Sequence, residues 1–442
     1  MVILYLIFLF FIFLYIFSND LLIFKINNID NKICNLGFPI ILNYIMYPLI
    51  GMFDTLWINK FNSSEDLVGI DIGDQIFLLF YLIISFLPSI IPSKITELKS
   101  ENKKKELEEL ISISFILTNI LGIFSSLLLC IFRSNLLQLF ISKDSLIYSN
   151  AGNYLKYKSF GMVFSLTNSL IFSILRGFMD LNNAIKINFK SQIINIIINP
   201  LFIKYYGIEG YAIAGILSDI YCTFNYCKII ISQNNYTKNI TNFTNKSFNL
   251  IKEGIFVTIK NSLNNIVSMY ANKKLISIDN TGKLLSSNIF LSRFIDICFI
   301  LFYGLNSVSN VLIPSEKSID NDKNTRRRII FWCIITGLIQ SILLYNLQFF
   351  FPYFSNDEEV IDISKKIIGS ITIYQIFFGY YYVSEGILQG YSKFREISIY
   401  NSLCLIPKVI LLYFSNSLQQ IWLINIIIII TKSLLTSYII FF

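Results

Sequence analysis

Apolar stretches of near-constant length recur along the chain with short polar breaks between them, at 36–58, 69–92, 110–132, 157–178, 183–203, 208–231, 251–271, 285–313, 329–351, 367–388, 396–415 and 419–441. Each is close to the ~20 residues a helix needs to cross a hydrocarbon layer. Lipid satisfies no backbone N–H or C=O, so a spanning segment must be a helix or belong to a closed barrel. Barrel strands alternate apolar and polar residues over about ten positions, and these runs do not alternate. The expectation is an all-α integral membrane protein with twelve transmembrane helices. Composition agrees: charged residues make up 14% of the chain and hydrophobic residues 54%, against about 25% charged in a soluble domain. So few charges do not solvate a globular surface.

Composition also narrows the chemistry. The chain has no histidine, which removes histidine metal sites and Ser-His or Cys-His nucleophile pairs. Its seven cysteines are scattered, form no CxxC, and mostly lie in apolar runs, where they read as small packing residues. No enzyme constellation is visible, and no cofactor is expected. The net charge of +8 comes from short loops between apolar runs. That distribution points to membrane orientation and not to nucleic acid.

Orientation follows from those loops. With twelve spans, Lys103-Lys104-Lys105 and Arg326-Arg327-Arg328 fall on the same side, as do Lys25 and Lys32 before the first span. The positive-inside rule puts that side, with both ends of the twelve-helix unit, in the cytoplasm or its organellar equivalent. A further apolar run at 2–17 has no Lys or Arg before Lys25. It reads as a leader or an extra helix, which leaves plasma membrane and organelle membrane both open. The expected organisation is a leader and spacer at 1–34, a six-helix lobe at 35–231, a polar Asn/Thr-rich linker at 232–249 and a second six-helix lobe at 250–442.

The halves repeat. Ser142 and Asp144 match Ser355 and Asp357, and Leu175, Gly177 and Phe178 match Leu388, Gly390 and Tyr391, all 213 residues on. Ile91-Pro92-Ser93 matches Ile313-Pro314-Ser315, each string ending a span before a basic loop. Gly37, Met52 and Phe53 match Gly254, Met269 and Tyr270 at an offset of 217. Six helices per half is an even number, so both halves enter the membrane alike. The expected pseudo-two-fold axis then runs along the membrane normal, a common plan for transporters.

Several strings resemble the multidrug and toxic compound extrusion (MATE) family. They are Phe53-Asp54-Thr55, Leu175-Arg176-Gly177-Phe178-Met179-Asp180, Asn195 to Asn199-Pro200, Gly207 to Ala214, Phe354 to Val360 and Glu385 to Gly390, in order along the chain. Within the family the chain looks nearest to bacterial DinF-like and plant-organelle members. The resemblance implies two lobes that move by alternating access and export organic cations, drugs or organic acids in exchange for protons or sodium. A small organic solute and the bilayer are then the partners, and the chain acts as a monomer. A lipid-linked precursor flippase of the same superfamily and a non-transporting scaffold are the competing readings.

Ionisable groups at membrane depth are costly and therefore candidates for function. Asp54 sits deep in the first span, six residues after Pro48. Asn195 and Asn199 are four apart and share a helical face. The resemblance places this pair beside Asp54 as a coupling-ion or proton site, although family members often carry Asp where Asn199 stands. Asp219 in the next span is placed to compensate. Lys260 and Asn264 make one face of the seventh span polar, and Glu385 and Lys408 lie in neighbouring spans where they could pair; all four are candidates to line the cleft. Asp71 and Asp74 read as solvated at the mouth of the second span. Tyr380, Tyr381 and Tyr382 could stack on organic cations but read first as an interfacial belt.

Overall fold

The computed structural model describes residues 28–61, 64–138, 146–232, 243–279, 283–315, 319–354 and 358–441, and within these some side chains, Asp54 among them, fall outside the description. The apolar run at 2–17 lies outside it, as does most of the expected linker. The described residues are almost entirely helical, in the order α1 Asn28–Phe61, α2 Ser64–Ile84, α3 Leu87–Ser100, α4 Lys104–Gln138, α5 Leu146–Lys158, α6 Met162–Gly177, α7 Asn182–Ser232, α8 Phe243–Ile278, α9 Lys283–Ser315, α10 Ile319–Asn346, α11 Phe351–Phe354, α12 Glu358–Gly390, α13 Phe394–Phe414 and α14 Leu418–Phe441. Among the described residues seven helices or helix pairs are long and apolar enough to cross a membrane, including Ile72–Ser100, Tyr148–Gly177 and Leu418–Phe441.

Every expected span falls on helical residues, but the boundaries differ where local chemistry intervenes. The second span is broken at Ser85 and Phe86, because Pro88 at the start of α3 has no N–H to continue α2. The fourth begins earlier than expected, at Tyr148, and runs through a short 3₁₀ turn at Ser159–Gly161. The polarity of Asn150, Asn153, Lys156 and Lys158 hid its first half. The fifth and sixth form one long helix bent at Gly207, whose φ of 59° is open to glycine. At the other end of the expected linker, α8 already begins at Phe243, inside the stretch read as connecting chain.

Helix α4 shows why lipid is the solvent. Ile116, Ile120, Ile123, Phe124, Leu127 and Ile131 are exposed, while Ser114, Thr118, Ser125 and Ser126 are buried. A helix in water does the reverse.

The chain divides into two compact units. One comprises residues 42–269 with 392–403; the other comprises the chain up to Ile41 with 270–391 and 404–442. Helices α1, α8 and α13 each contribute residues to both. In the first unit the core is built by Ile90, Ile91 and Ile95 of α3, Leu107 and Ile111 of α4 and Leu170, Ile171 and Ile174 of α6. A Cβ on Gly177 would lie 2.9 Å from Pro92 O, so only glycine lets α6 reach α3 there. Thr96 uses that closeness, donating to the carbonyls of both Pro92 and Gly177 at 2.9 Å.

In the second unit the core centres on α9 and α12. A Cβ on Gly379 would sit 2.2 Å from the fully buried Phe302 ring. Phe299 packs on Phe378 with ring centroids 4.3 Å apart, and Tyr303 and Tyr382 join them. Tyr380 and Tyr381 are buried, with Tyr380 bonded to Ser437 at 2.7 Å. The three tyrosines therefore pack inside the helix bundle and do not form an interfacial belt. Arg328 donates to buried Asp30, which also accepts from Trp332 Nε1 at 2.8 Å.

Candidate functional site

The bend at Gly207 folds α7 into a hairpin. Gly210 makes it possible, since a Cβ there would meet Phe202 O at 2.1 Å. The two arms are then stitched along their length. Tyr226 donates to Ala184 O at 3.1 Å, Ser191 to Ser218 O at 2.7 Å and Asn195 Nδ2 to Ser218 Oγ at 3.1 Å. Asn199 Nδ2 donates to Asn195 Oδ1 at 2.6 Å, and Asn199 is fully buried. The two asparagines expected to share a face do so, one helical turn apart.

Helix α1 runs beside the first arm. Asn188 donates to Asn43 Oδ1, with Asn43 buried. Farther along, Ile58 and Ile203 belong to one apolar cluster with Tyr154 and Ala212. Both pairs are 145 positions apart in the chain. Asp54 and Asn199 are separated by the same interval and lie between the two pairs.

The other polar groups of this unit gather around Asp219, on the second arm. Ser165 donates to Asp219 Oδ2 at 2.7 Å. Asn168 reaches the Asp219 carbonyl at 3.1 Å, and Thr223 donates to Asn168 Oδ1 at 2.7 Å. Lys158 acts electrostatically on Asp219. Its Nζ stands 4.0 Å from Asp74 Oδ1, and Tyr154 donates to the same oxygen at 2.5 Å. Asp74 is thus engaged by two groups while its side chain stays 43% exposed, so the reading of a solvated residue at a helix mouth holds only in part. The approach of α5 to α2 depends on Gly73, where a Cβ would lie 2.6 Å from the Tyr154 ring. A Cβ on Gly215 would lie 3.8 Å from Lys158 Nζ and 4.0 Å from Asn195 Nδ2. Lys158 and the asparagine pair therefore border the same space.

Lys158 went unseen because the fourth span was expected to begin at 157, which put this lysine at a membrane mouth. Counted from Tyr148 it is ten residues in, or about 15 Å of helix. An early helix start, signalled by the apolar Leu146, Ile147 and Tyr148, would have found it.

The remaining expected residues lie elsewhere. Lys260 is buried and Asn264 half-buried, both on α8. In the other unit, Glu385 is 2% exposed and accepts from Gln389 Nε2 at 3.0 Å; Gln389 in turn accepts from Asn310 at 2.9 Å. Tyr381 is also bonded to Glu385, and Lys432 lies 5.4 Å from the Tyr381 ring centre. Lys408 makes no ion pair with Glu385 among the described residues, so the pairing expected for these two is replaced by bonds to Gln389 and Tyr381. Sequence reading also passed over Lys432, although it lies thirteen residues inside the last expected span.

The MatE family profile matches residues 39–201 and 257–414. These are helices of membrane-spanning character carrying a buried polar cluster, and the chain belongs to the MatE family of membrane transporters. The fold agrees. An outward-facing multidrug resistance MATE transporter of the MOP superfamily superposes with a TM-score of 0.82 at 16% identity, over 94% of this chain and 96% of that one. A Vibrio cholerae MATE transporter, VcmN, solved as an Asp-to-Asn variant, gives 0.85 at 15% identity over 93% and 97%. A MOP superfamily transporter from Pyrococcus furiosus, described as having a binding pocket of reverse polarity, gives 0.79 at 16% over 94% and 96%. No curated protein matches the chain in sequence.

Proposed function

We propose that this chain is a secondary active antiporter with twelve transmembrane helices in two six-helix lobes, 35–231 and 250–442. It exports small organic solutes in exchange for protons or sodium by alternating access. Within the family it stands nearest the DinF-like and plant-organelle branch. The coupling site is Asp54 with Asn195 and Asn199.

The observation that carries this reading is the buried, hydrogen-bonded Asn195–Asn199 pair on α7, with α1 bonded to the same arm at Asn43. The Asn43–Asn188 bond and the apolar cluster that holds Ile58 and Ile203 bracket Asp54 and Asn199 along the two helices. At 1.5 Å per residue both residues come about 16 Å beyond the Asn43–Asn188 bond. The amide pair on α7 is buried and held by its own bonds, Asn199 to Asn195 and Asn195 to Ser218. An ionisable group set against fixed dipoles changes occupancy when the local field changes, and a lobe movement changes that field. Asn199 carries no proton, so the charge change falls on Asp54.

The test is efflux of ethidium, an organic cation, from proteoliposomes of the purified full chain under an imposed proton or sodium gradient. Wild-type protein accelerates efflux under one of the gradients. Asp54→Asn abolishes the gradient-driven part and leaves the protein folded. An Asp54→Asn protein with wild-type gradient-driven efflux defeats the assignment. Scrambling of a labelled lipid without any efflux favours a flippase instead.

A further inference from the structure

The cluster around Lys158 has a property that the antiporter reading does not use. Two carboxylates, Asp74 and Asp219, share a neighbourhood with one ammonium at membrane depth. Lys158 is held there by more than charge. Its Nζ lies 5.4 Å from the Phe77 ring centre and 6.0 Å from that of Tyr154, so two aromatic faces flank the ammonium. Among the described residues it donates no hydrogen bond, and its one ion pair is the 4.0 Å contact with Asp74. Its side chain is 24% exposed, so the head group stays close to solvent while the stem is packed.

Three of the oxygens near this space are already engaged. Asn195 Oδ1 accepts from Asn199, Ser218 Oγ donates to Gly215 O while accepting from Asn195, and Asp219 Oδ2 accepts from Ser165. The open side of Gly215 is bordered by the Lys158 ammonium and the Asn195 amide nitrogen, both positively polarised. Sodium needs several converging oxygens, charged ones preferred. The side of this space at Gly215 presents N–H groups instead.

We infer that Lys158 is a tethered cation that takes the place of a coupling sodium ion in this lobe, so that the transporter works without sodium. The inference rests on the antiporter reading and deepens it by naming the ion excluded. The ammonium neutralises one of the two carboxylates and repels a second monovalent cation at close range. At ~5 Å and an effective dielectric near 20, that repulsion weakens sodium binding roughly a hundredfold. The groups involved are Asp74 from α2, Tyr154 beside Lys158 on α5, and Asp219 and Asn195 from the two arms of α7. Helix α4 keeps its charges at its ends, from Lys104 to Glu109 and at Arg133.

The test reads sodium directly, by thermal melting of the full chain in detergent with sodium chloride against choline chloride. Wild type is expected to show no sodium-specific stabilisation, and the charge-keeping Lys158→Arg the same. Lys158→Gln should gain a saturable sodium-specific shift with an affinity at least ~tenfold tighter than wild type. Lys158→Gln combined with Asp219→Asn should lose it again. A Lys158→Gln protein whose sodium response equals that of wild type overturns the inference. So does a saturable sodium response in wild type, which is readable even if the variant does not fold; Lys158→Met then replaces it. Failure of the antiporter reading shows separately, as absence of ethidium efflux by wild type under every gradient, and leaves the melting result intact.

Discussion

Two clusters of charge, one in each compact unit, are built in opposite ways. In the unit around α7, charge is dispersed. Asp74, Lys158 and Asp219 sit in a network of hydroxyls and amides, and two of the three groups keep a quarter or more of their side chain exposed or stand at 4.0 Å from their partner. In the unit around α9 and α12, the Arg328–Asp30 pair is tight and sealed. Arg328 and Asp30 are 7% and 2% exposed, and Trp332 also donates to Asp30. Dispersed charge with loose partners can change partners or protonation at low cost, whereas a sealed pair cannot give up one member without stranding the other. The first arrangement suits a site that must cycle and the second suits a fixed joint.

The sharpest way to break this comparison is to remove one member of the sealed pair. Arg328→Ala takes the guanidinium away from buried Asp30, and breaking a buried pair costs about 3–5 kcal/mol. Chemical unfolding in micelles measures it. A loss below about 1 kcal/mol would mean that Asp30 reaches water or a proton easily, and the contrast between the units would fall.

Helix packing gives the next effect in size, and it separates the units by what a glycine faces. A Cβ at Gly386 would lie 2.5 Å from Asn306 O, a backbone atom fixed by α9. A Cβ at Gly254 would lie 2.1 Å from Phe86 Cδ2, on a side chain that can turn. Overpacking costs about 1–3 kcal/mol, so Gly386→Ala should fall near the top of that range and Gly254→Ala near the bottom. The same unfolding experiment ranks them. The reverse order would show that the α9–α12 contact is the softer one.

These same contacts explain what the sequence revealed and what it hid. Gly177 approaches Ile95 and Pro92, and Gly390 approaches Ile313 and Pro314. Apolar runs of spanning length and small residues before a proline are local signals, so helices and close contacts were legible from them. The asparagine pair was legible for the same reason, being one turn apart on one helix. Lys158 was not, because its importance comes from α2 and the second arm of α7 closing on it from 84 and 61 residues away. The Glu385–Lys408 pairing failed similarly: neighbouring spans were clear, but which face each residue took was not. Asp219 and Lys432 lie 213 apart, the interval of the repeat, and contact Asn168 and Tyr381, also 213 apart. At that interval the charge is reversed, which an identity match does not detect.

The smallest effect tests whether exposure alone decides the matter. Lys94 and Glu253 form a direct bond of 2.9 Å in the α7 unit, a better geometry than the 4.0 Å contact of Lys158 with Asp74. Their side chains are 24% and 36% exposed, so water already solvates each charge and the pair gains little over two free ions. Exposed pairs contribute at most about 1 kcal/mol. Lys94→Ala should therefore cost less than about 1 kcal/mol, and high salt should erase even that, while the cost of Arg328→Ala should survive salt because its pair is sealed from ions. A Lys94→Ala loss equal to that of Arg328→Ala would mean that bond length and not burial governs these pairs. The α7 unit would then be as rigidly charged as its counterpart.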